Sequence, residues 1–197
     1  MARFRIFKGQ MNIMENTLQE LDSNIKRVRA DFYNSLQHSP EEKSIRQLEE
    51  KYNIRLPRDL KAFYFWKNGQ ESCCYEAFVN NSTFIPLEEA LDTAQEFTSM
   101  IGTDFDIENW WNRNWIPVFH NGGGSYICYD LDGTFTGNKG QILEFWNRDS
   151  DRNVIASSLE NFLKQINSLY RESSAENSDE FFTVEYEDGF PVKFSVE

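Results

Sequence analysis

Trp115-Ile-Pro-Val-Phe-His-Asn-Gly-Gly-Gly-Ser-Tyr-Ile-Cys-Tyr-Asp-Leu131 is the stretch from which the fold of this chain is read. Two apolar runs flank Asn121-Gly-Gly-Gly124. Glycine adopts the positive φ values that a tight reversal between strands demands, so the stretch predicts a β-hairpin. A P-loop would need a Lys-Ser/Thr pair after the glycines and a helix beyond it, and here a strand follows. The glycines therefore read as turn chemistry and not as a phosphate cradle.

Working outward, further strands are expected near 140–146 and over Cys73 to Val79, with a short extended piece ending at Phe84-Ile-Pro86. Helical spacing runs through Leu87, Ala90, Leu91, Ala94 and Phe97, and again through Leu159, Phe162, Leu163, Ile166 and Leu169 after a cap at Ser157 or Ser158. Upstream, Ile13, Met14, Leu18, Leu21, Ile25, Val28, Phe32 and Leu36 recur at steps of three and four, which predicts one amphipathic helix over 12–37. Residues 1–10 read as an exposed arm or as a short strand through Phe4, Ile6 and Phe7. Ser39 as N-cap, Pro40 at the first helical position and Glu42 at the capping-box position predict a new helix that ends near Asn53. Leu56-Pro57 opens another, carrying Leu60, Phe63, Tyr64 and Trp66 and closed by Asn68-Gly69. Ser173 to Asp179 is a polar, acidic linker. Alternation through Phe182, Val184 and Tyr186, then Asp188-Gly189, then Val192, Phe194 and Val196 predicts a C-terminal hairpin, with Pro191 confining its second arm to an edge or a bulge.

The chain has 197 residues, enough for one sizeable core, and its 40% hydrophobic content is that of a globular protein. Net charge is −12, and Arg3, Arg5 and Lys8 leave −15 on everything after the first ten residues. An acidic surface repels phosphate backbones and disfavours direct nucleic-acid binding, whereas it suits solubility or a basic partner. No run approaches the length of a membrane span, and the N-terminus lacks the features of a signal peptide. Three cysteines, two of them adjacent, make a poor disulfide framework and fit a reducing cytoplasm.

Candidate chemistry is thin. Cys73, Cys128, His120 and Asp130 include the residue types of a thiol hydrolase, but Cys128 sits inside an alternating strand, where a free cysteine is usually a small buried hydrophobe. With two histidines far apart in sequence a zinc site is not expected, and no metal or cofactor is assigned. The acid pairs Asp104 and Asp106, Asp130 and Asp132, and Glu185 and Glu187 arise readily in an acidic protein. Asp130-Leu-Asp-Gly133 lacks the further ligands of a calcium loop. More telling is Asp104-Phe-Asp-Ile-Glu-Asn-Trp-Trp111, where aromatics bracketed by acids form the pattern of a hot spot for a basic partner. Asp104, Asp106, Glu108, Trp110 and Trp111 are the candidate partner-binding residues. The competing reading has Phe105, Ile107 and one tryptophan holding a long loop onto the core.

A series of short motifs in order carries a resemblance. Glu49 and Glu50 precede Tyr52-Asn-Ile-Arg-Leu-Pro57; Lys61-Ala-Phe63 and Asn68-Gly69 follow. Phe84-Ile-Pro86, Trp115-Ile-Pro117, Gly123-Gly-Ser-Tyr126, Asp130-Leu131 and the helix from Ser157 to Leu163 complete the series. From about Glu42 to Tyr170 the chain resembles the Smi1/Knr4 (SUKH) family, with Asn53 standing where family members often carry glycine. The resemblance implies an α+β domain, a mainly antiparallel or mixed sheet packed against helices. It divides the chain into an N-terminal arm and helix (1–38), the family-like domain (39–172) and an acidic linker with a hairpin (173–197). It also implies a non-catalytic binding protein. Bacterial relatives look like immunity proteins that neutralise a toxin by direct binding, and a nuclease toxin would supply the basic partner. Fungal relatives look like regulatory or scaffold modules in cell-wall synthesis.

Overall fold

The glycine-rich reversal joins the second and third strands of a six-stranded sheet. In a computed structural model that describes residues 2–173 and 180–197, with the backbone alone over 2–12, β2 (Trp115–His120) pairs antiparallel with β3 (Tyr126–Asp130). Gly122 and Gly124 take φ of +73° and +85°. A Cβ on Gly124 would lie 2.6 Å from Nδ2 of the Asn147 side chain, which can move aside, so it is the positive φ that requires glycine there. The Asn121 carboxamide accepts from the Gly123 and Ser125 N–H groups and closes the turn.

Four more strands extend this hairpin: β1 (Thr83–Phe84), β4 (Ile142–Phe145), β5 (Asp151–Ala156) and β6 (Val192–Ser195). The six run in spatial order β1-β2-β3-β4-β5-β6, every neighbour antiparallel. Six helices accompany them among the described residues: α1 (Ala2–Val28), α2 (Ala30–Asn34), α3 (Glu42–Lys51), α4 (Arg58–Trp66), α5 (Leu87–Ser99) and α6 (Leu159–Glu172). The fold is α+β in a single-domain arrangement.

Strand alternation sends side chains into two cores. Ile127, Tyr129, Ile142 and Ile155 face the larger one, beneath the helices, where Phe63, Phe78, Phe84 and Phe119 meet with ring centroids 4.6–6.5 Å apart. Cys128, Leu143, Phe145 and Val154 face a smaller one, roofed by Trp111 and Trp115. A register shift between Pro117 and Phe119 lets Val118 and Phe119 both enter the larger core. The N-terminal helix is docked by buried polar contacts as well as by its apolar stripe: Asn24 Nδ2 donates to Asn167 Oδ1 (3.1 Å), and Asn167 Nδ2 donates to the Thr17 carbonyl (2.9 Å).

Several expectations are corrected. Residues 2–10 are helical and not a strand, because α1 begins at Ala2. The single helix over 12–37 breaks at Arg29 (φ −140°). There the guanidinium lies between the Phe32 and Phe182 rings, 3.7 and 3.8 Å from their centroids, and donates to the Ala77 carbonyl, the Tyr170 hydroxyl and Glu76. These contacts outweigh one residue of helix. The next helix starts at Glu42, not at Pro40, with no side-chain cap. Its expected start is drawn into extended pairing instead: Gln37 N–H donates to the Gly69 carbonyl, and Asn68 N–H donates to that of Gln37.

Cys73 to Val79 forms turns and a single bridge from Val79 to Ser82, not a strand. The buried Gln70 carboxamide donates to the Glu76 carbonyl and accepts from Phe84 N–H, and this wraps the segment around one side chain. At the C-terminus only the second arm of the expected hairpin is a strand. It pairs with β5 at the sheet edge, where Pro191 was expected to confine it. The first arm is anchored elsewhere, with Phe182 and Val184 buried and the Phe182 carbonyl accepting from Asn80 N–H. The expected acidic linker falls on 174–179, outside the described residues.

Asn53 takes the left-handed conformation expected at the end of α3 (φ +49°), and Ser158 Oγ caps α6 by accepting from Asn161 N–H (3.1 Å). Beside Asn53, the buried Glu49 carboxylate accepts from Leu56 N–H (2.8 Å) and Lys61 Nζ (3.2 Å). Burial alone would raise its pKa, but these donors outweigh it and hold the carboxyl below its ordinary value. A carboxyl lowered on folding contributes stability above its unfolded pKa of about 4.3 and loses it as pH falls through the folded value. Glu49→Gln is therefore expected to cost about 1–2 kcal/mol at pH 7 and to flatten the fall in stability below about pH 4.5. Urea titrations at pH 7, 4.5 and 3 measure both effects, and parallel pH profiles for variant and parent would remove Glu49 from this role.

Candidate protein-binding site

The loop from Met100 to Asn114 crosses the smaller core and carries the acid-aromatic motif. Its own backbone ties its start, with Phe105 N–H donating to the Met100 carbonyl and Gly102 N–H to that of Phe105. Phe105 lies edge-on to Phe97 at 5.7 Å. Trp111 lies edge-on to Phe97, Trp115 and Phe145 at 5.0–5.6 Å, and its indole N–H donates to Thr98 Oγ1. At 2% exposure Trp111 anchors the loop to this molecule and is not available to anchor a partner, which corrects its assignment as a contact residue.

Asp104, Asp106 and Glu108 are exposed together on that loop. Between the last two, Ile107 is 38% exposed, an apolar knob flanked by carboxylates. Of the three residues expected to hold the loop onto the core, Phe105 and Trp111 do so and Ile107 faces outward. Trp110 is half-buried. A fixed loop that offers acids around one apolar side chain has the form of a protein-recognition surface.

What fixes the loop is a residue the sequence reading passed over. Arg152, on β5, is fully buried. Its Nε and Nη2 both donate to the Trp110 carbonyl (3.3 and 2.7 Å), and Nη1 donates to the carbonyls of Asp149 and Asp151, each at 2.7 Å. The guanidinium lies 4.9 Å from the Trp110 ring centroid and 4.8 Å from that of Phe145. Among the described residues no carboxylate forms an ion pair with it. Burial pulls its pKa down to about 10, so it stays charged at neutral pH. The only signal available in sequence was an arginine at an alternating position of a short strand that was not itself predicted.

The thiol-hydrolase set does not assemble around Cys128. That residue is fully buried in the smaller core, and burial pushes its thiol well above the ordinary value, opposite to what a nucleophile needs. The His120 ring accepts from Gly122 N–H through Nδ1 and so serves the turn. Cys73 is exposed, with Glu71 as its hydrogen-bond partner. Asp130 is also committed to structure: its carboxylate accepts from the N–H groups of Asp132, Gly133 and Thr134 and from Gln141 Nε2 (2.5–3.1 Å), shaping the turn before β4. Among the described residues no three His, Cys, Asp or Glu side chains group as a metal site, and no helix is long and apolar enough to cross a membrane.

A family model described as SMI1 / KNR4 family (SUKH-1) matches residues 39–165. The chain belongs to the SMI1/KNR4 family. The match takes in α3 through the first half of α6, including the hairpin and the acid-aromatic loop. It leaves out α1, α2 and β6; of these, α1 docks on α6 and β6 pairs with the edge of β5. No curated protein matches the chain.

Proposed function

We propose that this SUKH-1 protein is a cytoplasmic immunity protein that neutralises a protein toxin by direct, non-catalytic binding, and that the loop from Asp104 to Trp110 forms part of the contact surface. Family membership is the observation that carries the reading. The net charge of −12 supports a basic toxin, as nucleases commonly are, and the burial of Cys128 weighs against a thiol hydrolase built on that residue. The exposed acids would steer the encounter, while Ile107 and the open side of Trp110 would supply the apolar contact.

Co-expression with a toxin sought among the genes beside its own tests the function: growth should be rescued, and failure to rescue, or no toxin there, would overturn the reading in favour of a regulatory or scaffold module. Binding kinetics at two ionic strengths test the surface. Asp104→Asn/Asp106→Asn/Glu108→Gln is expected to slow association about tenfold at low salt and to flatten its salt dependence, with dissociation little changed. Ile107→Ala is expected to speed dissociation roughly 30-fold, the equivalent of a hot-spot loss of about 2 kcal/mol. Rescue with unchanged kinetics in both variants would move the interface off this loop.

A further inference from the structure

A groove of about 1500 Å³ runs between α1 on one wall and α3 and α4 on the other, with the start of α6 at one end. Its walls are apolar, with Leu18 and Ala62 facing into it beside Ile13 and Phe65, which are 45% and 38% exposed. Around it the acids outnumber the bases by five to four.

The sequence of α1 holds an element that matches this groove. Phe4, Phe7, Met11, Met14, Leu18, Leu21, Ile25 and Val28 repeat at alternating steps of three and four, a spacing by which helices pair along a seam. From Met14 onward these positions are buried against the rest of the chain. The first three precede that point on the same unbroken helix, so the segment cannot fold back into the groove beside residues 13–19 of its own chain. Another copy can supply it. An 11-residue helix about 10 Å across and rising 1.5 Å per residue fills roughly 1300 Å³, which the groove has room to hold. Charge agrees as well: no acid precedes Glu15, and Arg3, Arg5 and Lys8 bring three positive charges to a surface whose remainder stands at −15.

We infer that the groove receives residues 2–12 of α1 from a second copy of this chain, and by two-fold symmetry gives its own segment in return. Sedimentation velocity on the full chain tests this. At tens of micromolar it should run as a dimer that weakens with salt. Phe4→Glu/Phe7→Glu, which alters the segment, and Phe65→Glu, which alters the groove, should each run as a monomer that keeps the parent's far- and near-UV circular dichroism. If Phe65→Glu fails to fold, Ile13→Glu on the opposite wall takes its place. An equimolar mixture of segment variant and groove variant should recover a heterodimer, because one intact segment still meets one intact groove. A monomeric parent at 100 μM, a dimer that survives in either variant, or a mixture that stays monomeric would each overturn the inference, the last by pointing to segment-on-segment pairing.

Discussion

Arg152→Met should lower the stability of the fold by about 3 kcal/mol and release the loop from Met100 to Asn114. The guanidinium is the donor for three partly buried carbonyls, those of Trp110, Asp149 and Asp151, and leaving such an acceptor without a donor costs up to about 1–3 kcal/mol each. Against this, methionine removes a charge that is expensive to bury, which holds the net loss toward the lower end of the sum. In a chain of this length about 3 kcal/mol corresponds to a fall in melting temperature of roughly 6–12 °C. Arg152→Lys keeps the charge but has no planar fork to span Trp110 and Asp149, and it should fall between the two. Urea titration measures the loss. Hydrogen exchange should show amides in the loop exchanging faster in the methionine variant, while those of β2 and β3 keep their order relative to global unfolding. A loss below about 1 kcal/mol with the loop still protected would mean that the aromatic contacts of Phe105 and Trp111 hold it without the arginine.

Phe63→Ala should cost about 4 kcal/mol and lower the melting temperature by roughly 10 °C. The Phe63 ring is fully buried on α4 and touches two groups of neighbours. Its centroid lies 4.6 Å from that of Phe84 and 5.7 Å from that of Trp66, and it meets Phe78 edge-on at 6.5 Å and Phe119 at 6.1 Å. The cavity left by the ring would be lined by rigid aromatics on α4, β1 and β2, which collapse poorly into empty space, so the cost belongs to the upper part of the usual range. Phe65→Ala, two residues along the same helix with its side chain partly in solvent, should cost about 1 kcal/mol or less. Equal losses at the two positions would contradict the placement of the core.

Where local chemistry determines local structure, the sequence was legible. Asn121 and its glycines specify the β2-β3 hairpin, Ser158 specifies the start of α6, and Asn53 specifies the end of α3, because each feature depends on the conformational range or hydrogen-bonding reach of one or two residues. Features that depend on distant partners were not legible. Helix α1 breaks at Arg29 because Phe182, Tyr170 and Glu76, far away in sequence, bind the guanidinium. The first arm of the expected hairpin is taken up by Asn80 and Tyr170, and β6 finds β5 instead. Strand β5 escaped notice because Arg152 and Asn153 look like loop residues until the smaller core shows that Arg152 belongs inside. The candidate site divides along the same line. Its acids and its position in a long loop were readable, whereas the exchange of roles between Trp111 and Ile107 was not, since either hydrophobic residue satisfies the same pattern.

The central claim is neutralisation by binding without turnover, and titration of the toxin's own activity with this protein tests it most directly. With toxin held well above the dissociation constant, residual activity should fall linearly to zero at one equivalent of this chain, and the toxin recovered from the complex should keep its intact mass and its activity. Complete inactivation at a small fraction of an equivalent, or a toxin whose mass has changed, would show that this protein acts as a catalyst and would contradict the account.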